Sequence, residues 1–304
     1  MDTYIVDEYS NDEKKVRLKP TKDDAEAFNK IVAGDVDRFI DNSNVTNNYN
    51  IFYNSIKEMP YNVDQLYEAI RKLCVIDIFV ENDDDPQLIF ESLNSTGLKL
   101  TEADMIRNFV LMGLEAKTQE EYYTRYWLDI EKNTNKTKTA NFFRDYLTVK
   151  QGKIPAIRDV YFVFKKYAED QDILPILVEL LKYSKIYNKI LTSHTLCKDI
   201  DITLKRLNTL DMTVTYPFLL ALFDYAHEVE LPEEDLINTL SCLETYIVRR
   251  LICGIPTNAL NTIFCTLHKD VLRMKRNTDS YSSVVIYILE NKTSFSSFPK
   301  DENF

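Results

Sequence analysis

Apolar residues recur at helical spacing through most of the chain beyond residue 100. Prolines fit the starts of these stretches, where a missing backbone N–H is tolerated. The spacing predicts helices near residues 101–115, 118–132, 139–150, 157–169, 171–191, 199–210, 215–229, 233–251, 257–276 and 281–290.

The first eighty residues carry a mixed pattern. Apolar and polar side chains alternate on both sides of a turn-rich stretch, which is typical of a β-hairpin, and an apolar β-branched run predicts one further strand. The hairpin spans 4–9 and 15–20, helices are expected at 21–34, 49–57 and 63–73, an asparagine-rich linker at 41–50, and the strand at 74–80. The predicted fold class is α+β and predominantly α-helical, with a small β hairpin plus one strand followed by a large irregular helical domain.

The stretch from Phe90 to Asn108 predicts a tight corner between two helices. Gly97 supplies the left-handed backbone that often ends a helix. Thr101 fits an N-cap, and Asp104 three residues later completes a capping-box pattern. These features predict a rigid helical hairpin. They do not require the polar residues at the corner, which are Asn94, Ser95, Thr96, Arg107 and Asn108.

The motif F-E-x-L-N-S-T-G-x-x-L-x-x-A-D-x-I-R-N at 90–108 resembles the signature of the GmrSD-type restriction endonucleases. Three later segments, at 123–130, 160–165 and 246–264, resemble the same proteins in the same order. The resemblance implies a bacterial NTP-dependent endonuclease system directed against modified phage DNA.

Two motifs of that family do not occur in these 304 residues. One is Asp-Gly-Gln-Gln-Arg, which lies in a ParB/sulfiredoxin-like domain and is linked to NTP hydrolysis. The other is the His-Asn-His nuclease motif. The resemblance therefore implies the middle of such a protein, with the β elements as a remnant of the ParB/sulfiredoxin-like lobe. We expect no cofactor in this chain, and NTP and Mg²⁺ for the complete family protein.

Arg107 lies one turn after the Thr101 cap and can point toward the corner formed by Asn94 and Thr96. An arginine beside helix N-terminal amides suits an anion such as a nucleotide phosphate. Alternatively, Asn94 closes the turn, and Arg107 forms a salt bridge with the capping residue Asp104. The family resemblance implies that Asn94, Thr96 and Arg107 bind the nucleotide.

Charge argues against autonomous DNA binding, since 37 basic residues face 48 acidic ones and the net charge is −11. One local exception follows His268, and its residues are candidates for a nucleic-acid contact: Lys269, Arg273, Lys275 and Arg276. A solvated helix face is the commoner origin of such a charge run.

Several kinds of site are excluded or disfavoured. Neither G-x-G-x-x-G nor G-x-x-x-x-G-K-[ST] occurs, so a Rossmann or Walker phosphate loop is excluded. The three histidines and five cysteines show no metal-ligand spacing, and no metal site is predicted. The acidic cluster at 81–85 fits either a divalent cation or, preferably, a cap for the following helix.

Two further features favour structural roles. Of the adjacent Arg249 and Arg250, at most one faces the apolar seam of its helix, and Glu244 is the nearest candidate partner for a buried arginine. Trp127 lies in an aromatic-rich helix, where core packing is commoner than base stacking.

The predicted organisation is a partial N-terminal α+β lobe (1–115), a helical domain (116–290) and a frayed tail (291–304). We expect a non-catalytic coupling or scaffold module between the NTPase and nuclease parts of a restriction endonuclease; the alternative is a stand-alone helical protein–protein interaction module. The expected partner is the NTPase segment or another copy, through an exposed strand edge, with DNA contacted only through the complete protein. The odd cysteine number and the absence of a signal peptide or membrane-spanning run favour the cytoplasm.

Overall fold

The structure, a computed structural model, describes residues 20, 22–34, 38–74, 89 and 100–303. The chain divides into two compact units, Met1–Phe79 and Val80–Phe304. The predicted domain boundary at 115/116 stays a prediction.

Three helices make up the described part of the first unit: α1 (Lys22–Val32), α2 (Asn44–Glu58) and α3 (Val63–Arg71). Helix α1 packs against α2 and buries Ala27. The asparagine-rich stretch predicted as a linker is largely helical, because the Ser43 hydroxyl caps α2 by accepting a bond from the Val45 amide.

The part of the second unit from residue 100 onward consists of helices joined by short turns. Its α-helices are α4 (Glu102–Leu111), α5 (Ala116–Tyr122), α6 (Leu128–Thr134), α7 (Thr139–Gln151), α8 (Val160–Ala168), α9 (Ile173–Thr192), α10 (Lys198–Thr209), α11 (Tyr216–Glu228), α12 (Glu233–Ile252), α13 (Asn258–Met274) and α14 (Tyr281–Glu290). The helices predicted beyond residue 100 are confirmed, with ends that differ by a few residues.

Helix α11 lies at the centre of the second unit. It packs against α7, α9 and α13, and most of its side chains are buried, including Phe218 and Leu222. A helix that is apolar on nearly all sides needs neighbours on all sides. The remaining helices surround it, with α12 packed against α10 and α14.

The α+β fold class is wrong for the part of the chain that the structure describes, where only helices, turns and irregular segments occur. The protein is predominantly helical. The predicted hairpin (4–20) and strand (74–80) lie outside the described residues, except for Pro20 and Cys74, and neither of these is in a strand. The helical spacing beyond residue 100 is a long, repeated signal, whereas the β assignment rested on three short apolar runs.

The sequence predicts a frayed tail at 291–304, whereas the structure gives this segment defined contacts. Short 3₁₀ turns form at Ser294–Ser296 and Asp301–Asn303. Phe298 packs on the ring of Tyr246, with ring centres 5.2 Å apart. Main-chain carbonyls of the tail also accept hydrogen bonds from α12, as described below.

Candidate functional site

Helix α4 begins with the capping box that the sequence predicts. The Asp104 amide donates to the Thr101 hydroxyl at 3.1 Å, and the Asp104 carboxylate accepts from the Thr101 amide at 3.2 Å. Two amides that lack intrahelical partners are thereby satisfied. The opposite face of α4 buries Ile106 and Val110 in the core. The polar side chains of Thr101 and Asp104 are therefore held at a fixed position at the start of the packed helix.

Arg107 connects α4 to α6. Its guanidinium lies 3.0 Å from the Asp104 carboxylate and 3.3 Å from the Glu131 carboxylate. Glu131 also accepts a 2.6 Å hydrogen bond from the indole N–H of Trp127. We refer to Asp104, Arg107, Glu131 and Trp127 as the Arg107 network. The Arg107 side chain is 30% exposed and that of Glu131 only 13%, so the network lies at the edge of the core.

Trp127 lies in a π-helical turn, Tyr123–Trp127, that joins α5 to α6. The Leu128 amide donates to the Tyr123 carbonyl, which is the i to i+5 pattern of such a turn. The indole is fully buried and stacks on Phe143 with ring centres 5.8 Å apart. Core packing of Trp127 is therefore confirmed.

Glu102 joins α4 to a second helix. Its carboxylate accepts a 2.8 Å bond from the amide of Tyr161, in the first turn of α8, and so caps that helix. Burial raises the pKa of Glu102, and the nearby Asp159 carboxylate adds to the rise, while the bond from Tyr161 opposes it. Phe109 and Phe164 add an edge-to-face contact between the same two helices at 6.2 Å.

The structure places only part of the predicted nucleotide site. Asn94 and Thr96 lie outside the described residues, as does the acidic cluster at 81–85. Arg107 forms the salt bridge to Asp104 that the sequence left open as an alternative, and it adds a bond to Glu131. A phosphate near Arg107 would have to compete with two carboxylates. Its role as a nucleotide contact stays a prediction.

Sequence reasoning did not identify Glu131 or the Glu102–Tyr161 bond. The pairing of Trp127 with Glu131 spans four residues, so helical spacing carries a signal for it. The Arg107–Glu131 and Glu102–Tyr161 pairs are 24 and 59 residues apart, and no local pattern reports them.

The four basic residues after His268 do not share one environment. Arg273 pairs with Asp270 at 3.1 Å, and Lys275 ends α13. Arg276 is exposed and uses its backbone amide to bond Asp279. Lys269 lies beside the turn that ends α7, because a Cβ atom added to Gly152 would come within 2.9 Å of its Nζ. Nucleic-acid contact by these residues stays a prediction.

Arg250 is the buried member of the arginine pair, at 1% exposure. Its guanidinium donates to the carbonyls of Phe295, Ser297 and Pro256 at 2.8, 3.1 and 2.9 Å. The predicted partner Glu244 is wrong, since that carboxylate pairs with Arg206 on α10. Main-chain carbonyls replace it because the tail lies directly against the end of α12.

Arg249 holds the same tail from the surface. It donates to the Pro299 carbonyl at 3.0 Å and pairs with Asp301 at 2.7 Å. The Tyr246 hydroxyl donates to the Ser296 carbonyl at 2.7 Å. We call the side chains Tyr246, Arg249 and Arg250 the tail clamp.

Two general findings concern the described residues. They contain no group of three or more His, Cys, Asp or Glu side chains placed to hold a metal ion. Their helices are also all too short or too polar to cross a membrane.

Comparison with known proteins gives one match. Residues 2–111 match a family model described as the N-terminal domain of the GmrSD restriction endonuclease. No curated protein and no solved structure matches the chain. The matched range ends with α4, so the resemblance of the later segments at 123–130, 160–165 and 246–264 stays a prediction. The motif at 90–108 lies inside the match, and through it the chain is related to the GmrSD-type restriction endonuclease family.

Proposed function

We propose that this chain acts in NTP-dependent restriction of modified foreign DNA in the bacterial cytoplasm. Its role there is to couple an NTP-hydrolysing lobe to a nuclease, as a scaffold and not as a catalyst. The expected partner is the lobe that carries the Asp-Gly-Gln-Gln-Arg motif, with DNA reached through the complete assembly. The family match supports the relation to restriction, and the packing of α4 supports the coupling role.

The observation that carries this proposal is the position of α4. It is the last helix of the matched range, and it packs within the helical unit that continues beyond the match. Glu102 bonds α8, and Arg107 bonds α6. A ligand that binds just before α4, where the sequence predicts a corner, would therefore act on a helix with two polar connections to the rest of the unit.

Arg107 suits this role because its two carboxylate partners lie on different helices. Any shift of the guanidinium toward an anion weakens the bond to Asp104, to Glu131 or to both. Glu131 would then keep the indole of Trp127 as its partner, and α6 would respond. A conformational signal needs an element with two arrangements, and we propose that the release of Arg107 from one of its carboxylates produces the second.

Hydrogen exchange on the full chain tests this coupling. The chain is mixed with the NTPase lobe of a GmrSD-type protein, and exchange at 128–134 is compared with and without a nucleoside triphosphate and Mg²⁺. We expect nucleotide to change exchange in α6 for the wild type and not for Arg107→Ala. Arg125→Ala is the matched control, since Arg125 is exposed and pairs only within its own helical stretch.

Two results would contradict the proposal. One is a nucleotide response in Arg107→Ala equal to that of the wild type. The other is no response in the wild type together with a stable complex to an unrelated protein, which would favour the stand-alone interaction module.

A further inference from the structure

A cavity of about 640 Å³ lies where the end of α7 and the following turn meet α8. Its lining includes two cationic side chains, Lys153 and Lys166, and two aromatic ones, Phe162 and Tyr167. This region is separate from the Arg107 network and from the tail clamp. Glu102, Arg107 and Glu131, on which the proposed coupling depends, do not line this cavity.

No carboxylate of the described residues neutralises the lysines of this surface. Lys153 and Lys166 are exposed, and neither has a carboxylate within ion-pair distance among the residues that the structure describes. Lys269 extends the surface, because its Nζ lies against Gly152 in the turn that carries Lys153. It too has no acidic partner in the described part of the chain. Three unpaired ammonium groups are notable in a protein of net charge −11.

The two aromatic side chains of the cavity, Phe162 and Tyr167, differ in how exposed and how firmly held they are. Phe162 is 57% exposed and lies one helical turn before Lys166 on α8. The Phe162 ring contacts the Tyr161 ring, with centres 5.1 Å apart, and its exposed part is available to a ligand beside a cation. The Tyr167 hydroxyl lies 3.3 Å from that of Tyr146, which fixes the tyrosine ring at the cavity wall.

One acidic group faces the same cavity. Asp159 belongs to its lining, and its carboxylate lies 3.9 Å from the Arg158 guanidinium. The three lysines outnumber this one carboxylate among the described residues, so the net charge of the surface is positive and favours an anion. A small, hard anion would need only the lysines, whereas the exposed Phe162 ring adds a planar apolar contact. Phosphates joined to planar bases offer both.

We infer that this surface binds single-stranded nucleic acid. Lys153, Lys166 and Lys269 contact the phosphates, and one base stacks on Phe162 at the mouth of the cavity. The site is a local exception to the acidic balance of the chain, and it adds a direct contact with single strands to the contact with target DNA that we propose for the complete assembly. It does not depend on Arg107. It also gives Lys269 a role distinct from that of Arg273, whose charge is engaged by Asp270.

Fluorescence anisotropy with a labelled fifteen-nucleotide oligothymidine tests this site on the full chain, without nucleotide or partner. We expect Phe162→Ala to weaken binding about tenfold, since stacking on an aromatic side chain contributes about 1–3 kcal/mol per base. Log affinity falls as log salt concentration rises, with a slope of about −0.7 for each phosphate contact to a single strand. The double variant Lys153→Gln/Lys166→Gln removes two such contacts, so we expect its slope to be about 1.4 less steep than that of the wild type.

Matched controls remove equal charge or equal aromatic area elsewhere. Lys189→Gln/Lys205→Gln changes two exposed lysines on α9 and α10, and Tyr287→Ala removes a ring that is also 57% exposed. Both should bind like the wild type. Melting temperatures of all variants identify any that fail to fold, and Phe162→Leu, which keeps the apolar volume without the ring, replaces Phe162→Ala in that case.

Three outcomes would overturn the inference. The first is no measurable binding of the oligonucleotide at low salt. The second is an equal loss of binding in the control variants. The third is competition by inorganic polyphosphate that is as strong as competition by unlabelled oligonucleotide, together with no effect of Phe162→Ala, which would identify a general anion surface. None of these outcomes bears on whether Arg107 couples α4 to α6.

Discussion

Replacement of Glu131 by alanine should destabilise the second unit by about 1–4 kcal/mol. The indole N–H of Trp127 is buried, and losing its acceptor costs about 1–3 kcal/mol. Loss of the partly exposed ion pair with Arg107 adds up to about 1 kcal/mol. Glu131→Gln keeps an acceptor for the indole, so we expect it to lose only about 1 kcal/mol.

Urea unfolding followed by tryptophan fluorescence measures this effect directly. The chain has one tryptophan, Trp127, so the signal reports on this network. A loss of about 2 kcal/mol lowers the midpoint by about 1 M urea. Glu121→Ala is the control, because Glu121 and Arg125 form an exposed pair at 3.5 Å that should contribute little.

A double-mutant cycle between Arg107→Ala and Glu131→Ala separates the ion pair from the indole bond. We expect a coupling energy of about 1 kcal/mol, since both side chains are partly shielded from water. Equal effects of Glu131→Ala and Glu131→Gln would show that the indole bond contributes nothing. A coupling energy near zero would refute the role of Arg107 as a connection between α4 and α6.

Three other predictions concern the cap of α8, the buried Asp145 and the tail clamp. Glu102→Ala removes the cap of α8 and should lower the free energy of unfolding by about 1 kcal/mol in the same urea assay. Glu102→Gln keeps an acceptor for the Tyr161 amide and should retain most of that stability, so equal losses in the two variants would contradict capping. Asp145 is buried on α7, and its burial raises the pKa of the carboxyl from 3.8 to about 7, although the Arg144 guanidinium 3.2 Å away opposes the rise. This residue should therefore lower the free energy of unfolding by about 3 kcal/mol as the pH rises from 4 to 7. A pH dependence of the wild type no steeper than that of Asp145→Asn over this range would contradict the prediction. Arg250→Met removes the donors to three main-chain carbonyls and should make the tail accessible to trypsin after Lys292 in limited proteolysis. The control Arg273→Met should leave the digestion unchanged. Unchanged digestion of Arg250→Met would show that Arg250 does not hold the tail in place.

The helices of the second unit were predictable because their signals are local. Apolar spacing and caps within a few residues of each helix start are enough, as at α14, where Ser280 accepts a bond from the Ser283 amide. The prediction of a linker from asparagine content was wrong for the start of α2, because the Ser43 cap stabilises a helix there. The α+β class failed because short apolar runs have no unique secondary structure by themselves.

The polar network was predictable only where its partners are close in sequence. Thr101 and Asp104, and Asp104 and Arg107, are three residues apart and follow helical geometry. The bond from Arg107 to Glu131 depends on how α4 and α6 pack, which no local pattern encodes. Glu244 was the nearest acid to Arg250 in sequence, yet packing of α10 gives that acid to Arg206.

The tail clamp has a consequence for how the polypeptide matures during translation. The guanidinium of Arg250 is enclosed by a carbonyl that lies 45 residues later in the chain. Until the ribosome has synthesised that stretch, only the Pro256 carbonyl of the three acceptors is present, and burial of the Arg250 cation is opposed. We therefore expect the end of α12 to become fully packed only when the tail emerges.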